Sequence, residues 1–402
     1  MDLTLSVLTI NIWGIPFVSK DREVRIQRIA EELASGKYDV VSMQEVWSET
    51  DFQSLKSHTE AVLPYSHYFY SGVVGSGLCV LSKYPITAAF FHAWSVNGYV
   101  HRIQHGDWFG GKGVGLCKIS VHGHTVNLYN AHLHAEYNRK SDDYMAHRVI
   151  QAFDTAQFIQ QTRNDAVVQI LAGDLNTEPG DLAYRILLST SHLQDSYQKS
   201  EPHGTNECAR NPYTCEENRL SAPDGKRIDY VLFRVGAGGR LTRQEYKVLM
   251  PEQCFSDHEA VHVKLDIVPP KMSRDSSLEY INGDDAEMPA SEAGKPSSHL
   301  TDLTESIQIC DDSLKQLDSH RKFYLWMSFA IIITLIMFAD FEAPYGFQTV
   351  YLLSKILLGL LTAFLLFMGT LWNVMERHGI LSGKLEMEIV LRNIPNHVEA
   401  AT

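Results

Sequence analysis

Positive charge is scarce in this chain. Its 402 residues hold 35 Lys and Arg against 48 Asp and Glu, a formal net charge of −13. The first 268 residues and the remainder share the deficit. A surface of that sign repels phosphate backbones, so no nucleic-acid partner is expected. Cysteine is sparse too: Cys79, Cys117, Cys208, Cys215, Cys254 and Cys310, with no CxxC pair. That excludes a structural zinc site of the usual spacing. Cys79 and Cys117 lie in apolar, strand-like runs and read as core thiols. Cys208 and Cys215 are close enough for a local disulfide, although a reducing compartment is the simpler reading. The opening Met1-Asp2-Leu3-Thr4-Leu5 has no basic residue, so no signal peptide is expected.

What is present is organised around Leu171-Ala172-Gly173-Asp174-Leu175-Asn176. An apolar run before it, Ala166 to Ile170, reads as a buried strand, and Asn176-Thr177-Glu178-Pro179-Gly180 reads as a turn. In an extended chain Asp174 and Asn176 share a face. A carboxylate and an amide so placed can hold a water and a phosphoryl oxygen over a metal ion. A strand-end turn with a capping Asp has the same local look.

Upstream, Leu3 to Ile10 reads as a strand ending at Asn11. A helix follows, with Ser19 as its cap and Ile26, Ile29, Ala30 and Leu33 on one face. Tyr38 to Met43 is a second strand and stops at Gln44-Glu45. Residues 97–115 combine many glycines with Trp108 and Phe109, which predicts a loop with exposed apolar tips. Asp107 and Lys112, around Gly110 and Gly111, suggest a salt bridge able to open or close that loop. Leu116 to Val121 and Val126 to Asn130 read as paired strands, with His132-Leu133-His134 after them. Arg139 to Thr162 has a helical period, and 198–226 is a polar insertion. Arg227 to Phe233 and Ser256 to Val261 begin the last two strands.

A boundary falls near Val268, so 1–268 is read as a catalytic domain and 269–299 as an acidic linker without apolar period. In 300–322, Leu300, Leu303, Ile307, Cys310, Leu314 and Leu317 follow heptad spacing, as a coiled-coil seam or one amphipathic helix would. The seam makes a homodimer through 300–322 and the following hairpin an open alternative. Within 323–372, Phe323–Ala339 and Val350–Trp372 are long enough to span a bilayer. Residues 373–402 form the tail, whose 380–394 stretch either lies on the bilayer or pairs with 300–320. The loop between the spans has Asp340 and Glu342 but no Lys or Arg, while His320-Arg321-Lys322, Arg377 and Lys384 flank the outer sides. The positive-inside rule then places the catalytic domain and both termini in the cytosol. The short first span suits a thin membrane such as the endoplasmic reticulum.

Asn11, Glu45, His132, Asp174 with Asn176, Asp229 and His258 each stand at the end of a strand-like run, where loops converge into sites. Thr-Ile-Asn-Ile-Trp around Asn11, Met-Gln-Glu-Val around Glu45, Gly-Asp-Leu-Asn at 173–176, Arg-Ile-Asp-Tyr at 227–230 and Ser-Asp-His at 256–258 resemble the motifs of the endonuclease/exonuclease/phosphatase superfamily. The resemblance covers about residues 3–266. It implies an α/β fold, a four-layer α/β/β/α sandwich of the DNase I type, with a two-helix transmembrane hairpin after it. It also implies Mg²⁺-dependent phosphoester hydrolysis, with Mn²⁺ as a substitute. The stretches 71–79, 105–109 and 131–139 are similar to the neutral sphingomyelinases, and the two spans to their smaller, two-span type. On that resemblance Glu45 and Asn11 hold the metal. His258 is the general base, oriented by Asp229. Asp174 and Asn176 position water and phosphate, His132 stabilises the transition state, and Asp257 is an outer metal contact. Asp107, Lys112, Trp108 and Tyr137 are the candidate substrate contacts, the aromatics for a quaternary ammonium. The substrate expected is sphingomyelin, or a choline lysophospholipid, in a bilayer. The rivals are a nuclease or inositol polyphosphate phosphatase on the same fold, and a silent membrane scaffold.

Overall fold

Strand β1 (Leu3–Asn11) is apolar on both faces because it separates two cores. Leu3, Leu5 and Val7 enter one, and Leu8 and Ile10 the other. The computed structural model describes residues 2–269, apart from Asp165 and Gln253, and residues 296–394. The linker read over 269–299 lies almost wholly outside the described residues, as does the end of the tail. Met1–Asp302 and Leu303–Thr402 form two compact units.

In the first unit the order continues α1 (Arg22–Leu33), β2 (Val40–Gln44), α2 (Glu49–Thr59), β3 (Tyr65–Phe69), β4 (Leu78–Ser82) and β5 (Ile86–Ala93). Then come α3 (Asp107–Gly110), β6 (Gly113–Val121), β7 (His124–His132), α4 (Met145–Gln161), β8 (Val168–Asp174) and α5 (Leu182–Ser191). The unit closes with β9 (Gln194–Asp195), α6 (Glu216–Ser221), β10 (Asp229–Val235), β11 (Arg240–Leu249) and β12 (Ala260–Val268). Two six-stranded sheets result, ordered β11-β12-β1-β2-β4-β3 and β5-β6-β7-β8-β10-β9. Val7, Val80, Ile119, Leu128, Ile170, Val231 and Val263 fill the space between them. Each such side chain contributes about 1.5–3 kcal/mol by leaving water. Ile26, Ile29 and Leu33 of α1 and Phe52 and Leu55 of α2 cover the outer face of the first sheet. Helix α4 covers the second, with Trp94 donating to Thr155 and Gln169 to the Ile159 carbonyl. The expected α/β sandwich is the observed fold.

Several local expectations shift. The helix read over Arg139 to Thr162 begins at Met145. Asp142 accepts the Tyr144 amide and pairs with Arg148, which holds the lead-in out of helical form. Ser19 does not cap α1: it accepts the Ile15 amide at 3.0 Å and closes a turn, and Asp21 precedes the helix. Trp108 and Phe109 are half-buried in α3 rather than exposed tips. All six cysteines are free.

In the second unit the heptad run and the first apolar run are one helix, α7 (Pro296–Met337). Helix α8 (Gln348–Phe367) continues through a π-helical turn, Met368–Trp372, into α9 (Asn373–Asn393). Helix α9 returns along the seam. Asn373 donates to the Leu317 carbonyl at 2.9 Å, and Arg377–Asp318 and Lys384–Asp311 pair at 2.9 Å each. Cys310, Leu314 and Leu317 are buried, as are Ile380 and Met387. The seam considered for a second copy is thus closed by the same chain, and the tail pairs with 300–320. Among the described residues one helix, Gln348–Asn393, is long and apolar enough to cross a membrane. The first predicted span falls short by that measure, because α7 ends at Met337.

Candidate active site

Strand register gathers the chemistry. In the second sheet His132 lies opposite Asp174 across β7 and β8, and Asp174 opposite Asp229 across β8 and β10. In the first sheet Asn11 lies opposite Gln44, and Glu45 follows. His258 stands just before β12. Buried polar bonds join the two sheets beneath these ends. Gln44 donates to Asn130 at 2.8 Å, Asn130 to the Met43 and Cys79 carbonyls, and Ser42 to the Ala172 carbonyl. In a low-dielectric core such satisfied bonds fix sheet position tightly.

Three strand ends carry strained backbone: Trp13 (φ 46°), Glu45 (φ 57°) and Asn176 (φ 45°). Asn tolerates the left-handed region, but for Trp and Glu it costs about 1–3 kcal/mol, a cost that persists where function uses it. Gly14 has no side chain for a simple reason. A Cβ there would lie 2.4 Å from the Glu45 carbonyl oxygen, which the Gly14 amide reaches at 3.1 Å.

The side chains converge. His258 Nδ1 is 2.8 Å from Asp229 Oδ2, which leaves Nε2 facing the site, 3.9 Å from Asp174 Oδ2. His132 Nε2 lies 3.5 Å from the same oxygen and 4.0 Å from Glu45 Oε1. Burial raises Glu45 above the usual carboxylate range, and Asp257 raises it further. Asp174 rises through burial and then Asp229, and Asp257 through burial. Burial would lower His258, but Asp229, Asp174 and Asp257 outweigh it and hold the ring well above its usual value. His132 is held low by burial and by Lys112.

Three carboxylates thus stand close together in a partly enclosed site, one buried and two half-buried. Glu45 Oε2 is buried without a hydrogen-bond partner. Glu45, Asp174 and Asp257 offer only oxygen, a donor set that fits a hard divalent ion. Among the described residues, Asp174, Asp229 and His258 are the group whose donor atoms lie within 4.8 Å of one another. Since Asp229 and His258 are already bonded to each other, that trio suits proton handling better. Asn11, expected as a metal ligand, meets the carboxylates through its amide nitrogen. It donates to Glu45 Oε1 at 3.0 Å and Asp174 Oδ2 at 2.9 Å, while its oxygen accepts the Trp13 amide. It clamps the two acids.

The site floors a cleft of about 440 Å³, lined by Glu45, His132, Asp174, Asn176, Asp257, His258 and Tyr137 among others. Of the four expected substrate contacts, only Tyr137 lines it. Asp107, Lys112 and Trp108 do not, because Asp107 and Lys112 form a buried pair behind the wall at 2.6 Å. Lys112 also donates to the Leu133 carbonyl, and Tyr137 to Asp107 at 2.7 Å. The polar insertion supplies the other wall, with Asn206, Glu207, Tyr213 and Asn218. No local pattern in 198–226 marks these residues. Arg25 had a signal that went unread: a cation four residues before Ile29, on the apolar face of α1. It is fully buried and donates to the carbonyls of Ile12, Trp13, Lys20 and Phe255, tying the β1 exit to the approach to Asp257.

Fold and site together define a phosphoesterase with a candidate metal site. The chain belongs to the Endonuclease/Exonuclease/phosphatase family, whose model matches residues 8–258. It is 46% identical over 432 residues to a Drosophila melanogaster protein that carries neutral sphingomyelinase as a provisional name, covering 97% of this chain and 98% of that one. It is 40% identical to Homo sapiens sphingomyelin phosphodiesterase 2 over 287 residues, 68% of each chain. Its fold is similar to a Staphylococcus aureus beta toxin mutant solved with bound magnesium ions, at TM-score 0.51 and 18% identity, over 65% of this chain and 99% of that one.

Proposed function

We propose that the protein is a Mg²⁺-dependent phospholipase C-type enzyme that hydrolyses sphingomyelin to ceramide and phosphocholine at a membrane surface. The observation that carries the reading is the His258–Asp229 pair set against buried Asp174 and half-buried Glu45 and Asp257 at the floor of an open cleft. The names of the full-length and human relatives supply the lipid, and the magnesium of the toxin structure suits the oxygen-only donors. Glu45, with Asp174 and Asp257, would hold the cation. Bound there, it would polarise the phosphoryl oxygen and offset the charge of the carboxylates that raise His258. His258 Nε2 accepts the proton of the attacking water. As the water oxygen bonds to phosphorus, the bond to the ceramide oxygen breaks, and that oxygen takes a proton from solvent. Asp229 fixes the tautomer and orientation of the ring. His132, held neutral, places a ring N–H against the charge growing on phosphorus. Asn176 donates to the Leu133 carbonyl at 3.0 Å and so ties together the exits of the two strands that end in Asp174 and His132.

The exposed apolar residues of α7 and α8 support an integral membrane protein. The basic flanks and acidic 340–349 loop favour a cytosolic catalytic unit, and the short first apolar run the endoplasmic reticulum. Choline lysophospholipids present the same head group and belong in the same assay. In detergent with Mg²⁺, the purified full chain releases phosphocholine from sphingomyelin, and His258→Ala stops release without loss of fold. Cleavage of an abasic duplex instead would make it a nuclease. Failure on every substrate would leave the scaffold.

A further inference from the structure

Two loops leave the first sheet beside Glu45, and both end in apolar side chains that face water. The first follows β1. Ile15 is 36% exposed, Val18 66% and Phe17 fully so. It is not a slack segment. Ser19 closes it through two bonds to Ile15, and the Gly14 amide binds the Glu45 carbonyl at its base. The second joins β3 to β4, with Tyr70 66%, Val73 79% and Val74 50% exposed. The Val73 and Val74 amides both bind the Phe109 carbonyl, and Ser71 binds the Gly111 carbonyl. Its return is bonded to the residue after Glu45, Val46 N to Gly77 O at 2.9 Å. Trp108 and Phe109, expected to be the exposed tips, form the support under this loop instead.

Water is a poor solvent for rigid apolar tips, and a chain does not hold such residues out by two sets of backbone bonds without something to receive them. We infer that these two loops are the docking surface of the catalytic unit for a lipid bilayer, and that Phe17, Val18, Val73 and Val74 enter its interfacial layer. The occupant follows from position. Both loops are bonded to the peptide that links Glu45 to Val46, so whatever covers them stands beside Glu45, which lines the cleft. On the reading above, which this inference extends, the substrate there is a lipid head group. The same chain carries a helix able to cross a membrane. The helix holds the protein to the bilayer; the loops bring the site down onto it.

The test uses the full chain in detergent and in phosphatidylcholine vesicles containing sphingomyelin. Phe17→Ser with Val18→Ser, and separately Val73→Ser with Val74→Ser, raise the sphingomyelin surface fraction giving half-maximal rate by about tenfold or more. The maximal rate, the melting temperature and hydrolysis of a water-soluble phosphocholine ester stay at wild-type values. A second readout is independent of catalysis. In Phe17→Trp, the added fluorescence over wild type is quenched by vesicles with brominated acyl chains. Unchanged half-saturation with unquenched Trp fluorescence overturns the inference. So does parallel loss on the soluble ester, which would make the loops part of the catalytic structure. So does a lipid-free, concentration-dependent blue shift, which would assign the surface to a second copy. If wild type hydrolyses neither substrate, the functional reading has failed, and the quenching arm alone decides docking.

Discussion

Replacing Lys112 by methionine keeps the length of the side chain and removes its charge. Lys112 is 2% exposed, and its ammonium lies 2.6 Å from Asp107 and 3.2 Å from the Leu133 carbonyl. In the variant Asp107 keeps the Tyr137 hydroxyl but has no full counter-charge. Stranding a buried charge in this way costs about 3–5 kcal/mol. At roughly 2–4 °C per kcal/mol for a domain of this size class, the thermal midpoint falls by about 10 °C. The pH dependence has a definite sign. Burial alone would raise Asp107, but Lys112, His134 and the Tyr137 hydroxyl hold it far below its ordinary value. In wild type its contribution is present above the unfolded value of about 3.9 and is lost as pH falls. In Lys112→Met the folded value moves above the unfolded one, so the deficit shrinks as pH falls through that raised value and the acid protonates. The double variant Asp107→Leu/Lys112→Met recovers most of the loss. Thermal and denaturant unfolding of the full chain in detergent measure all three. Single-variant losses under about 1 kcal/mol, or a double variant as unstable as the sum, would refute the reasoning. The reading of this pair as a loop gate predicts a changed turnover at unchanged stability.

Arg25→Met leaves four carbonyls short of a cationic donor and lowers stability by several kcal/mol, on the order of 1.5–3 per charged bond before compensation; equal unfolding midpoints would contradict this. His134 is pushed down to about 3 by burial, so between about 6.5 and 3 the unfolded state takes up a proton that the folded state refuses. Stability therefore falls as pH falls through that window, by roughly 1.4 kcal/mol per unit. His134→Gln flattens that limb in urea titrations at pH 7, 6 and 5, and an unchanged slope would remove His134 as its source. Chelation abolishes phosphocholine release and lowers the melting temperature, since Glu45, Asp174 and Asp257 lose their shared counter-charge. Added Mg²⁺ restores both, and a midpoint indifferent to Mg²⁺ would place the cation elsewhere.

Much of the catalytic unit was legible in one dimension. Asn11, Glu45, His132, Asp174, Asp229 and His258 stand at the ends of apolar runs, and mixed sheets bring the exits of some strands and the starts of others to one rim. The apolar face of α1 and the heptad of α7 follow from spacing alone. Other decisions needed the third dimension. Asp107 and Lys112 read as a salt bridge in a mobile loop, and the pair is there, but nothing within five residues says that the loop folds under and buries it. Asn11 was read as an oxygen ligand, and only the facing carboxylates turn its nitrogen inward. Residues 198–226 have no period, yet they wall the cleft by pairing Asn206 with Lys226 and His258. Residue type and periodicity act over a few residues of chain, so they set which groups are available and where strands end. Distances of 3 Å between residues a hundred positions apart come from packing two sheets together, and that packing decided which of these groups meet.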